Sequence, residues 1–256
     1  MRKCMGLFMG LFFLLQALDA MAAIAVPELD AFGWQMFDHF ETRNLNQWDR
    51  QIQEGHVGIV TISYPNTSYS NSFVNASTSS SSDCYDILTP QLDDPVYGIR
   101  ADITLSFSEY LHANSFCMAA LGVRICPDLN YYFGFFYTGG KVKGTIAVEY
   151  NDQLSIYAKA FDVSVNAYYD LAIAFDKTNR MFWLYKNKEC LGYTVIDVAG
   201  ASFEPFVELR SAYANSGMKF DNVKVATVPE PTILALLGLG GWLIRKRLCP
   251  NYHEEE

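Results

Sequence analysis

The chain has 256 residues, a formal net charge of -9 and an aromatic content of 15%, with 18 Phe and 16 Tyr. An acidic balance without a basic stripe excludes a nucleic-acid surface, which needs clustered Lys and Arg to neutralise phosphates. Once the two processed ends described below are set aside, the length suits a single domain, and aromatic enrichment favours strands.

Arg2 and Lys3 precede an apolar stretch from Met5 to Leu15, and small residues follow at Ala20, Ala22, Ala23 and Ala25. A basic start, a short apolar core and small-x-small spacing predict a secretory signal peptide over residues 1–25, cut after Ala22 or Ala25. Residues 26–227 are then the exported domain.

Within that domain the sequence reads as strands joined by turns. From Tyr97 to Phe107, Ile99, Ala101, Ile103, Leu105 and Phe107 alternate with Arg100, Asp102, Thr104 and Ser106, the period of a half-buried strand. Tyr131–Tyr137 and Val142–Tyr150 flank Thr138-Gly139-Gly140-Lys141, where glycine tolerates positive φ, so a hairpin is expected. Tyr169–Phe175, Met181–Tyr185 and Cys190–Ile196 follow as strands, separated by turns at Asp176–Arg180 and Lys186-Asn187-Lys188. Phe206–Arg210 and Met218–Val225 close the set. Asn66 to Asp83 is rich in Ser, Thr and Asn and reads as an exposed loop, because such a composition buries little apolar surface. Its sequons at Asn66 and Asn75 are formal ones only. No long amphipathic helix is expected between Ala25 and Val228. The predicted class is all-β, two packed antiparallel sheets.

The C-terminus is tripartite. Val228-Pro229-Glu230-Pro231 precedes an apolar run from Thr232 to Ile244 and a basic stop, Arg245-Lys246-Arg247. From Pro229 to Ile244 a helix would rise roughly 24 Å, slightly short of a hydrocarbon core of about 30 Å. Gly238, Gly240 and Gly241 weaken it further. Basic residues at both extreme ends place the domain between them outside the inner membrane. The segment 228–256 resembles the PEP-CTERM sorting signal of Gram-negative bacteria, with 232–244 as its membrane helix. That resemblance implies export, transient anchoring in the inner membrane, cutting by an exosortase-type membrane protease, and a final place at the cell surface or outside the cell. Leu248–Glu256 departs from the pattern, since the signal usually stops soon after the basic cluster.

A second resemblance rests on the order of five pieces. Phe37-Asp38-His39-Phe40-Glu41 with Leu45 and Trp48, then Tyr97–Asp102, then Asn130-Tyr131-Tyr132-Phe133-Gly134, then Tyr169-Asp170-Leu171 running to Leu184–Asn187, and finally Phe220–Val225 look like a concanavalin A-like jelly roll of the laminin-G-like and family-16-glucanase-like type. It implies a β-sandwich whose concave sheet holds sugar or another polymer. The glucanase relatives carry Glu-x-Asp-x-x-Glu on one strand; Glu28-Leu29-Asp30 begins that way, but Gly33 occupies the last position. Glu204 with Glu208, and Glu149 with Asp152, read as solvated carboxylates, and no residue takes a catalytic role.

The expectation is therefore a non-catalytic, lectin-like surface or matrix protein that binds extracellular polysaccharide. The alternatives are a glycan-active hydrolase with divergent carboxylates and a purely structural exopolymer protein. Aromatic faces suit pyranose C–H patches, and Tyr132, Tyr137, Trp183 and Tyr185 are the candidates; Trp183 and Tyr185 alternate against core-facing Phe182 and Leu184. Of six cysteines, Cys84, Cys117, Cys126 and Cys190 fall in the exported domain and are disulfide candidates, with Cys117–Cys126 as the short link and Cys84–Cys190 as the long one. No metal site is assigned. Calcium is the one cofactor the fold class allows, with Asp93-Asp94 or Asp221-Asn222 as oxygen donors.

Overall fold

The computed structural model describes residues 26–41, 44–53, 58–62, 69–73, 84–107, 116–138, 141–164, 167–177, 179–196, 202–212 and 216–227. The signal segment, the sorting tail with its membrane helix, and most of the Ser/Thr-rich stretch lie outside these residues. Among the described residues no helix is long and apolar enough to cross a membrane.

A 3-10 turn, Leu29–Phe32, leads into β1 (Trp34–Asp38), β2 (Trp48–Gln53), β3 (Gly58–Ile62), β4 (Tyr69–Phe73) and β5 (Cys84–Pro90). The longer strands follow: β6 (Gly98–Phe107), β7 (Phe116–Cys126), β8 (Leu129–Thr138), β9 (Lys141–Tyr150) and β10 (Gln153–Phe161). The last third holds β11 (Tyr168–Asp176), β12 (Met181–Lys186), β13 (Glu189–Val195), β14 (Glu204–Ala212) and β15 (Ser216–Ala226). They form two antiparallel sheets. One runs β10-β9-β8-β7-β14-β5-β2; the other runs β13-β12-β11-β6-β15-β4-β3, with β1 also on β15. Strands β1 and β4 share one edge of β15, at residues 223–226 and 217–220 respectively.

The expected strands from β6 onward are present, and the predicted hairpin is the β8–β9 pair, in register from Leu129↔Tyr150 to Thr138↔Lys141. Two-residue turns close neighbouring hairpins. Asn151 and Asp152 (φ 49 and 61) join β9 to β10, and Asn187 and Lys188 (φ 51 and 72) join β12 to β13. Positive φ at both central residues matches the right-handed twist of the flanking strands. Alternation also predicts the inward faces. Ile99, Ala101 and Ile103 of β6 meet Leu171 and Ile173 of β11 and Phe182 and Leu184 of β12 in one core with the other sheet. Aromatic pairs cross between the layers: Tyr131–Phe182 at 5.9 Å and Phe135–Tyr169 at 5.1 Å, the edge-to-face separations that add to area burial.

Three expectations change. Tyr69–Phe73, inside the stretch read as loop, is a strand paired with both β3 and β15; ladder hydrogen bonds from two neighbours hold a segment whose composition alone would not. Cys117 and Cys126 lie nine residues apart on the single extended strand β7, roughly 30 Å at about 3.3 Å per residue. No disulfide spans that distance, and Cys126 and Cys190 are free thiols. Cys84 and Cys117 both pair with Ser211, one on each side of β14.

The third concerns Trp183 and Tyr185. They do point away from the core between the sheets, but that outer face is not open. The N-terminal turn lies on it, inserting Leu29 and Phe32 among Trp183, Tyr185 and Met181. The Tyr185 hydroxyl donates to the Pro27 carbonyl at 2.8 Å, the Trp34 indole donates to the Leu29 carbonyl at 2.6 Å, and Asp30 reaches Arg100 at 3.5 Å. Arg100, itself buried on that face, is gripped by Asp170 through two hydrogen bonds of 2.7 and 2.5 Å. Trp183 is left 1% exposed. Trp183→Ala should therefore cost about 3–5 kcal/mol of stability through the cavity it opens, measured by urea denaturation; an unchanged unfolding midpoint would show that the turn does not seal this face.

Candidate functional site

The outer face of the seven-stranded sheet has small residues at its centre. Across it, Phe206, Gly122, Tyr132 and Ala147 stand in one row, and Glu208, Ala120, Gly134 and Thr145 in the next. Neither glycine is replaceable without displacement. A Cβ on Gly122 would fall 2.1 Å from the Phe206 ring, and one on Gly134 would fall 2.3 Å from the Ala119 carbonyl oxygen. The second contact is with backbone, which cannot rotate aside. This low floor lets long side chains from the rim strands reach across it.

Arg210 of β14 is the side chain that does so. Its Nε donates to Glu208 Oε1 at 2.6 Å and its Nη1 to Glu149 Oε1 at 2.8 Å, while Nη2 lies 3.4 Å from Glu149 Oε2 and 3.5 Å from the Tyr132 hydroxyl. The Tyr132 hydroxyl donates to Glu149 Oε2 at 2.6 Å, and Asn130 Nδ2 donates to the same oxygen at 3.3 Å. Each donor group of the cluster is thus engaged. Two acceptors are not: Glu208 Oε2 and Asn130 Oδ1 are buried with no partner among the described residues. The Glu208 side chain is 0% exposed, whereas those of Glu149 and Arg210 keep 12% and 11%.

Burial and charge act on the members in different directions. Burial pushes the Glu208 carboxyl up, and Arg210 only partly offsets it. Burial would also raise Glu149, but hydrogen bonds from Arg210 and Tyr132 outweigh it and hold that carboxyl below its ordinary value. The Tyr132 phenol is raised, by burial first and then by Glu208, and stays neutral. Burial would lower Arg210; Glu208 and Glu149 reverse this and keep it charged. These are the paired, hydrogen-bonded charges that a water-poor face requires.

Of the four aromatic candidates, Tyr132 alone belongs to this cluster. Tyr137 faces inward and is buried in the core between the sheets, and Trp183 and Tyr185 belong to the other sheet. Glu149 and Glu208, read from sequence as solvated, are buried; Glu204 is exposed beside Arg124, and Asp152 sits in the exposed turn. Glu208, Arg210 and Phe206 alternate on one strand, a signal that these charges share a face with an aromatic ring. Among the described residues no three His, Cys, Asp or Glu side chains are grouped to hold a metal ion. Asp93 and Asp94 are exposed, and Asn222 donates to Asp102 at 2.8 Å.

The chain is an all-β protein of two antiparallel sheets packed face to face. No protein-family model matches it, and no curated protein does. Solved structures do. A structure titled "Sialidase" is similar over 76% of this chain and 18% of its own, at 8% identity and a TM-score of 0.51; this chain therefore spans under a fifth of that protein. The carbohydrate-binding module CBM66 from Bacillus subtilis is similar over 70% of this chain and 97% of its own (14% identity, TM-score 0.46). A basic winged bean lectin with Tn-antigen is similar over 75% and 96% (10% identity, TM-score 0.47). At such identities the likeness is one of fold.

The opposed shifts have a pH signature. Glu149 contributes stability above about pH 4.5, its ordinary value, and loses it as pH falls through its lower folded value. Glu208 has the opposite sign: its contribution is present below about pH 4.5 and is lost as pH rises through its higher folded value. From about pH 4 to about pH 8, Glu208→Gln should gain stability relative to wild type while Glu149→Gln falls behind. Urea denaturation across that range reads both slopes, and parallel curves for all three proteins would contradict the assignment.

Proposed function

We propose that the chain is an exported, surface-sorted protein whose sandwich binds polysaccharide without cleaving it, through the outer face of the seven-stranded sheet. The observation that carries this reading is the Arg210 cluster. Its buried acceptors have no protein partner and adjoin the aromatic rings of Tyr132 and Phe206, 5.7 Å apart edge to face. A sugar ring brings both an apolar face and hydroxyl donors, which match an aromatic group set beside unfilled carboxylate and amide oxygens. The fold shared with a carbohydrate-binding module and a lectin is compatible with this use. The full chain, purified in mild detergent, should be retained by at least one polymer on a glycan array and release no reducing sugar from it; release would replace binding with hydrolysis.

A second reading, a glycan-active hydrolase, draws support from the opposed shifts of Glu149 and Glu208, the pattern of an acid beside an ionised carboxylate. It ranks behind the first because one guanidinium holds both groups, leaving neither free to attack an anomeric carbon or to lend a proton to a leaving oxygen.

Export and sorting belong to the same proposal and rest on sequence. The signal segment 1–25 and the Pro229-Glu230-Pro231 element with its apolar run and Arg245-Lys246-Arg247 stop support transient anchoring in the inner membrane and cutting by an exosortase-type protease. In a host carrying such a protease, the surface-localised protein should lack everything beyond the Pro-Glu-Pro element. Mass spectrometry that finds Cys249 and Glu256 on that protein would overturn the sorting proposal.

A further inference from the structure

The donor and acceptor inventory of the Arg210 cluster restricts what it can bind. All three guanidinium nitrogens have partners, the Tyr132 proton goes to Glu149, and the Asn130 amide nitrogen points at Glu149 as well. What remains is acceptor-only: Glu208 Oε2 and Asn130 Oδ1. An incoming group must therefore supply hydrogens, because another acceptor would meet oxygens with nothing to offer it. Charge narrows the choice further. Two carboxylates and one guanidinium, with a phenol beside them, leave a single formal negative charge unbalanced when Glu208 is ionised.

From this geometry we infer that the cluster takes the ammonium group of a deacetylated amino sugar, with Glu208 Oε2 and Asn130 Oδ1 as its acceptors. An ammonium carries three donors and one positive charge, and so answers both deficits at once. A uronic or sulfated sugar would set its anion against Glu208 and Glu149. An N-acetylated sugar offers one amide N–H and no charge. Approach is from the side of Glu149, Arg210 and Asn130, which keep partial exposure where Glu208 has none. The assignment rests on the polysaccharide-binding reading above and specifies its ligand.

The test uses short oligomers, so that the overall charge of -9 does not dominate. The full chain in mild detergent is titrated calorimetrically with glucosamine dimer, its N-acetylated counterpart and digalacturonate. The dimer with free amines should bind about tenfold or more tightly over the other two, the size of one added charge-assisted contact. Glu208→Gln keeps an oxygen for Arg210 Nε while removing the charge, and Asn130→Ala removes the other acceptor without touching Arg210. Each should erase the preference for the amine while thermal melting still reports a folded protein. If the amine dimer is preferred but neither substitution changes that, overall charge and not this site attracts it, and the assignment fails. Equal or better binding of the N-acetylated or anionic dimer also removes the assignment while leaving polysaccharide binding in place; the absence of binding to any glycan removes both.

Discussion

The centre of the seven-stranded sheet is buried on both faces, and the rest of the molecule follows from that. Along β7, Met118, Ala119, Ala120, Leu121 and Val123 are all closed to solvent although successive side chains point to opposite sides. A strand so enclosed has its side-chain sizes dictated twice over. Ala119, Leu121 and Val123 fill the space between the layers, while Ala120 and Gly122 must stay small for Phe206 and the polar side chains to lie across them. Gly134 on β8 meets the same demand against the backbone of β7. Polar groups on such a face lose water without gaining bulk protein around them, so they must satisfy one another or bring in a ligand.

The two outer faces are closed by different means. On the eight-stranded sheet the seal is mostly apolar: Leu29 and Phe32 of the N-terminal turn cover Trp183, Tyr185 and the alanines of β11, and the one buried cation there, Arg100, is matched by Asp170 and Asp30. On the seven-stranded sheet the closure is electrostatic, with Arg210 tying Glu149 to Glu208 from strands three positions apart in the sheet. The first arrangement leaves its charges matched and reads as structure. The second leaves carboxylate and amide oxygens unmatched, a condition that costs free energy in the folded state and is relieved when donors arrive. This difference separates a packing face from a binding face.

Alternation in the sequence predicts direction well. It identifies β6, the β8–β9 hairpin, β11 to β15 and the core-facing roles of Phe182 and Leu184, because one face of each strand is more apolar than the other. It does not find β7, whose Phe-Cys-Met-Ala-Ala-Leu-Gly-Val run is apolar throughout, or β4, whose Tyr-Ser-Asn-Ser-Phe is mostly polar and is held by neighbours on both sides. Of the binding candidates, Tyr132 was legible as an aromatic on a strand. Its partners were not, since Glu149 and Glu208 carry the same local signature as any solvated glutamate.

By itself the sequence determined the all-β class, the turns at Asn187-Lys188 and around Gly139-Gly140, and the sides of the strands that face inward. Its two ends carry the proposed export and sorting signals. Only the tertiary structure decided that the Trp183 face is covered and that Glu149 and Glu208 meet at Arg210. The reason is geometric: period-two alternation records which way a side chain points from its own strand. What lies over that side chain depends on strand order, which places β9, β8, β7 and β14 next to one another although β14 is far along the chain.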